Sequence, residues 1–166
     1  MKQLLLIFVK SSQPVNQLQQ LFNATEKCEA DKFIFYDGFI PVQEIWNNDM
    51  YKKYTQLGAD KTEKIMNAFI KGFLKGYEEV ILIDNTAADL NQYLIESAFY
   101  ELKFHEVVVG SVKTDSIYLL GMKRFRPEMF EEDINCKNIL NELIKRSITY
   151  KELPILESWV KMKASV

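Results

Sequence analysis

The stretch from Tyr77 to Met122 constrains the fold of this chain more than any other. It reads as strand, sharp turn, helix, strand, loop, strand. Glu79–Asp84 (EVILID) is a short apolar run with β-branched side chains, which marks a buried central strand. Asn85–Ala88 is expected to turn it into a helix with Leu90, Leu94, Ala98 and Leu102 as its apolar stripe. Thr86 and Asp89 have the spacing of a capping box, a threonine cap with an acid three residues on. Glu106–Gly110 (EVVVG) is a second buried strand. Ser116–Met122 (SIYLLGM) is another, and the short loop before it suits antiparallel pairing. In open α/β sheets the ligand lies beyond the C-terminal ends of such strands. The turn at Asp84–Asp89 and the loop at Gly110–Ile117 are therefore where chemistry is expected.

The rest of the chain fits around this unit. Leu4–Val9 is strand one. Pro14 opens a helix with Val15, Leu18, Leu21 and Phe22 on one face. Lys32–Tyr36 is strand two, and Asp37-Gly38 a turn. Phe39–Trp46 fits either a short irregular strand or a helical turn. Tyr51–Gln56 reads as an edge strand protected by its lysines. Asp60–Tyr77 is the clearest helix, with Ile65, Met66, Phe69, Ile70, Phe73 and Leu74 at helical spacing, a cap at Asp60 or Thr62, and a stop at Gly76. Pro127–Phe130 is a helical turn. Asn135–Lys145 is a helix with Ile139, Leu140, Leu143 and Ile144 inward, and Ser147–Glu152 a last strand. Leu153–Val166 either packs over the sheet through Leu156 and Trp159 or frays. Strands alternating with helices imply a three-layer α/β sandwich on a mainly parallel sheet, with an antiparallel addition near 116–122. The simplest organisation is one domain over residues 1–166.

Composition removes several functions. The 21 basic and 23 acidic residues are well mixed, which gives no footprint for nucleic acid and no polybasic stripe for a membrane. The dense basic cluster Lys123–Arg126 reads as a solvated loop. Cys28 and Cys136, with the single His105, make neither a disulfide framework nor a zinc site, and reduced thiols suit a cytoplasmic protein. The apolar run Leu4–Val9 is too short for a signal peptide or a membrane span. There is no Gly-x-Ser-x-Gly elbow, P-loop or Rossmann glycine turn, and a nucleophile–base pair would need His105.

Several stretches carry a family resemblance. These are Phe8-Val9-Lys10, Gln56-Leu57-Gly58-Ala59-Asp60 with Glu63, Lys64 and Ala68-Phe69, VILIDNTAADL (Val80–Leu90) and VVVGSVKTDSIYLLGM (Val107–Met122). The chain resembles bacterial glycosyltransferases, or nucleotide-diphospho-sugar transferases, with a compact GT-A-like fold. The spacing matches without gaps from Gln56 to Met122. The resemblance implies a nucleotide-sugar donor and a divalent cation, held by a carboxylate after the central strand, that offsets the charge of the diphosphate leaving group.

The departures concentrate at that expected site. Thr86 and Ala88 stand where the family has aspartate and proline, and Asp84-Asn85 where it has glycine-serine. Thr114 stands for the aspartate of an Asp-Gly-Gly-Tyr motif, with Asp115 and Ser116 for its glycines. Val15, Leu18, Gln19 and Gln20 replace glycine, lysine, threonine and arginine. Lys64 replaces an arginine, Ile134-Asn135-Cys136 a Trp-Ser-Thr segment, and Ser158 and Val160 two aspartates. Asp84 and Asp115 are the candidate catalytic or metal-binding acids, for Mg²⁺ or Mn²⁺ if activity survives, though each also fits a solvated loop acid. Lys10, Asp60, Lys64 and Tyr118 are candidate nucleotide contacts. Each has a plain alternative: a solvent anchor for Lys10, an i,i+4 surface pair for Asp60 and Lys64, core packing for Tyr118. Three functions follow: a catalytically degenerate glycosyltransferase-like protein that at most binds a nucleotide or nucleotide sugar, an active metal-dependent transferase using Asp84 or Asp115, and an interaction module with a filled cleft. The first fits the pattern of replacements best.

Overall fold

A computed structural model of the chain describes residues 1–41, 44–46 and 49–159. Strand β1 (Gln3–Val9) is its centre. Its residues from Leu4 to Val9 are all buried, because layers of helices cover both faces. Leu4, Leu6 and Phe8 point to one layer, and Leu5, Ile7 and Val9 to the other. β2 (Asp31–Tyr36) and β4 (Glu79–Asp84) pair with β1 in parallel. β3 (Tyr51–Thr55) is the edge beside β2, as its lysines suggest. β6 (Ile117–Met122) runs antiparallel to both β4 and β5 (Val107–Ser111), and β7 (Tyr150–Glu152) closes the far edge parallel to β5. The seven strands lie in the order β3-β2-β1-β4-β6-β5-β7.

α1 (Val15–Thr25) and α3 (Gln92–Glu101) bury Leu21, Ala24, Ile95 and Ala98 on one face. α2 (Lys61–Leu74), the turn Pro127–Phe130 and α4 (Cys136–Lys145) bury Ile65, Phe69, Phe130, Ile139 and Leu143 on the other. The expected stripes overreach at three helix ends. Val15 (73%), Leu74 (83%) and Ile144 (63%) are exposed, since the helical period runs on there without a packing partner. Among the described residues no helix is long and apolar enough to cross a membrane.

Two other expectations are corrected. α3 does not begin in the 85–89 turn. It begins at Gln92, where the Asn91 carboxamide oxygen accepts from the Leu94 amide at 3.0 Å. Upstream, the turn's polar groups have tertiary partners. The Thr86 hydroxyl donates to the Ile117 carbonyl, the Ala88 amide to the Glu157 carbonyl, and the Gln20 amide side chain to the carbonyls of Ala88 and Leu90. These long-range bonds override the local capping pattern. Arg126 is not a solvated loop cation either. It is 5% exposed and paired with Glu106 and Glu128.

The irregular segment that includes Phe39–Trp46 is bent at Ile45 and Trp46, with 42, 43, 47 and 48 outside the described residues. The chain after Leu153 packs rather than frays as far as Trp159; Val160–Val166 lie outside the described residues.

Gly110 is required by a close approach. A Cβ there would stand 2.4 Å from the Tyr118 ring. Gly110→Ala is therefore expected to lower unfolding free energy by about 2 kcal/mol in urea titration; unchanged stability would contradict this packing. A second expectation concerns alkaline pH. Burial pushes the phenols of Tyr51 and Tyr77 up to about 12, the latter aided by its hydrogen bond to Asp31. In the unfolded chain tyrosine ionises near 10. Between these values the unfolded chain releases protons that the folded one keeps, so stability is full below pH 10 and falls as pH rises towards 12. Melting temperature measured from pH 8.5 to 11.5 reads this loss, and it should be smaller in Tyr51→Phe.

Candidate functional site

The strand ends build the site. β1, β2 and β4 run parallel, so Lys10, Asp37 and Asp84–Thr86 emerge at one mouth. β6 is antiparallel, so its start, after Ser116, comes to the same mouth. There the chain encloses a cleft of about 750 Å³. Its walls include Lys10, Ser12 and Gln13 after β1, Lys61 and Lys64 from α2, Asp84, Asn85 and Thr86 after β4, Thr114 and Ser116 from the β5–β6 loop, and Ser158 and Trp159 from the C-terminal segment.

The first turn of α2 is held in place by local chemistry. Asp60 caps it, its carboxylate accepting from the Glu63 amide at 2.9 Å. Gly58, at φ +154°, lets the incoming chain pass against that turn; a Cβ there would lie 2.7 Å from the Lys64 amide nitrogen. Lys61 thereby reaches Asp84, and the ammonium pairs with Oδ2 of the carboxylate. The Asp84 side chain is only 14% exposed, so this pair is partly shielded from solvent. Asp37, the other acid of the lining, accepts from the Ser11 amide at 3.1 Å. Lys10 and Lys64 make no ion pair among the described residues. The lining thus holds three lysines against two aspartates, both already engaged.

The C-terminal segment forms the remaining wall. Leu156 bridges to Val112 and Ser158 to Ala87. The Trp159 amide donates to the Thr86 carbonyl at 3.2 Å, and its indole N–H to the Asn85 side-chain oxygen at 3.3 Å. A Lys113–Glu157 ion pair ties the segment to the β5–β6 loop.

The structure brings Lys10, Lys64 and Asp84 together in this cleft. It does not bring the other three candidates there. Asp115 (φ 74°) turns between β5 and β6, and its carboxylate accepts from the Lys137 amide at the start of α4. Asp60 caps α2 and faces a separate acidic hollow with Glu63 and Glu131. Its expected pair with Lys64 does not form; the cap holds Asp60 and Lys64 lines the cleft. Tyr118 is fully buried and its hydroxyl donates to the Pro154 carbonyl at 2.8 Å, with burial pushing its phenol above the ordinary range. Thr86 and Thr114, which stand for family aspartates, do line the cleft. Sequence reasoning missed Lys61. The signal available was a lysine beside the Asp60 cap, which fixes its place in the first helical turn.

The sequence matches, over residues 20–134, a family described as an uncharacterized protein conserved in bacteria, DUF2064. The chain belongs to that family. Proteins with curated descriptions include none that matches. Solved structures share the fold. A Desulfovibrio desulfuricans G20 protein provisionally designated a nucleotide-diphospho-sugar transferase is 19% identical, with TM-score 0.79 over 95% of this chain and 82% of that one. CMP:2-keto-3-deoxy-manno-octonic acid synthetase, solved with CTP, is 11% identical, with TM-score 0.61 over 99% and 97%. Rv0371c of Mycobacterium tuberculosis H37Rv, solved with manganese, is 8% identical, with TM-score 0.60 over 98% and 96%. The fold is that of the nucleotide-sugar-related transferases.

A divalent cation is implied by the resemblance, so the donor set matters. Mg²⁺ and Mn²⁺ take hard oxygen ligands, usually one or two carboxylates besides phosphates and water. Here Asp84 is already matched by an ammonium, and the neighbouring family acids are the hydroxyls of Thr86 and Thr114. Among the described residues no three Asp, Glu, His or Cys side chains converge. With Lys61 on Asp84, these residues do not fit the ion.

Tyr118→Phe separates core from cleft. It is expected to cost about 1 kcal/mol of stability through the lost hydrogen bond and to leave ligand affinity unchanged. Denaturant melts and titration calorimetry check both parts.

Proposed function

We propose that this protein binds the phosphate-bearing part of a nucleotide or nucleotide sugar in the cleft and does not carry out metal-dependent glycosyl transfer. One observation carries the reading: the cleft offers an excess of lysines, and its β4 acid is held by one of them. Phosphate oxygens find cationic donors there. Lysine is a point-charge phosphate binder with three N–H donors. Relatives in fold bind CTP or manganese, which supports the class of ligand and marks the difference in how this cleft meets it. The open volume argues against a cleft filled by its own side chains. The two buried thiols, Cys28 and Cys136, form no disulfide, which suits a reducing cytoplasm.

The test is thermal melting with uridine, guanosine and cytidine diphosphates and with the sugar conjugates UDP- and GDP-hexose, in EDTA and in Mn²⁺. A ligand at 100 times its dissociation constant adds about 2.7 kcal/mol, which is about 5 °C or more for a chain of this size. A shift in EDTA with at least one ligand, and no release of nucleotide from the sugar conjugates, is expected. No shift with any of them removes the binding reading. Turnover in Mn²⁺ would make the protein an active transferase.

A further inference from the structure

We infer that Lys61 is a built-in substitute for the divalent cation, so that this cleft takes a nucleoside diphosphate without metal. The inference rests on the nucleotide-binding reading and adds how the phosphate charge is met. A diphosphate brings two or more negative charges, and a site next to a bare carboxylate would repel it. The usual remedy is a cation shared between carboxylate and phosphate. In this chain the ammonium of Lys61 sits on Asp84 Oδ2. An ammonium carries three N–H donors, so a lysine paired with a carboxylate by charge can still donate to phosphate oxygens.

The placement of this charge is built, not incidental. Lys61 is the first residue of α2, and Asp60 caps that turn. Gly58 lets the chain pass closely against the same turn, at Glu63 and Lys64. Lys64, one turn further along α2, lines the same cleft, and Lys10 enters from the end of β1. The two elements thus put three lysines on the lining that includes Asp84. A divalent ion at Asp84 would have to expel Lys61 from a side chain that is only 14% exposed, and would gain hydroxyls rather than carboxylates as its other ligands. Competition of this kind favours the resident charge.

The experiment uses UDP, inorganic pyrophosphate and Mn²⁺ alone as probes on the full chain, with Lys61→Gln, Lys61→Arg and Lys61→Gln/Asp84→Asn variants. Lys61 is half exposed, so the variants should fold, and circular dichroism melts check this. The wild type is expected to bind UDP with the same affinity, within about twofold, in EDTA and in Mn²⁺. Lys61→Gln is expected to bind UDP in EDTA about tenfold more weakly, the loss of one charge-assisted contact, and Mn²⁺ should restore it. Lys61→Arg should hold affinity in EDTA. Mn²⁺ alone, followed by the loss of the free-ion electron paramagnetic resonance signal, should bind Lys61→Gln at least about tenfold more tightly than the wild type, and the double variant should lose that gain. Asp84-dependent uptake of Mn²⁺ by the wild type, or equal Mn²⁺ affinity in wild type and Lys61→Gln, overturns the inference whether or not a nucleotide binds. Unchanged UDP affinity of Lys61→Gln in EDTA overturns it as well. If neither UDP nor pyrophosphate binds the wild type, it is the nucleotide-binding reading that fails, and the Mn²⁺ comparison still decides the role of Lys61.

Discussion

The parallel pairing of β1 with β4, which sets Phe8 opposite Asp84, is the constraint on which the mouth of the sheet depends. Both strands are apolar and buried, so neither can slip by a residue without turning core side chains into the wrong layer. That register brings the end of β1, with Lys10, beside the end of β4, with Asp84. The antiparallel β6 adds its own start to the same place. α2 then crosses over this end, and its capped first turn delivers Lys61 to Asp84. The ion pair joins the sheet to the helix at the mouth of the cleft.

The charge at that point differs from what the resemblance implies: instead of acids around a cation, the cleft holds an acid paired with Lys61 and two further lysines on its lining. A carboxylate paired in a partly shielded site gains from its partner but is poorly available to a second cation. Thr86 and Thr114, where the resemblance implies acids, present hydroxyls without charge, and the Thr86 hydroxyl donates a hydrogen bond to the Ile117 carbonyl. The C-terminal segment completes the wall by strand-like bridges and by the Trp159–Asn85 hydrogen bond. The result is a cavity whose lining carries three lysines and two aspartates.

Much of the framework was legible in the residues. EVILID, EVVVG and the first apolar run read as buried strands and are β4, β5 and β1, and Asp60 with Ile65 and Phe69 announces α2. The start of α3 was not legible, because Thr86 and Asp89 have the spacing of a local cap, yet the Thr86 hydroxyl is taken by Ile117 and the Ala88 backbone by Glu157 and Gln20, partners far away in sequence. Arg126 was misread for the same reason, since Glu106 lies on another element. Of the candidate site, Lys10, Lys64 and Asp84 were legible from their places at strand and helix ends. Tyr118 alternates correctly for either face, and its burial, with its ring against Gly110 and its hydroxyl on the Pro154 carbonyl, places it in the core. Asp115 was drawn to the site by its nearness to a lost motif, yet its left-handed backbone turns it towards α4. Lys61 needed the tertiary register to find Asp84.

The most direct measurement is a crystal structure grown with UDP and Mn²⁺, with anomalous data collected at the manganese absorption edge. The account predicts diphosphate density among Lys10, Lys61 and Lys64, with Lys61 still on Asp84 and no anomalous peak there. A manganese peak coordinated by Asp84, with Lys61 displaced and the diphosphate on the metal, would contradict it.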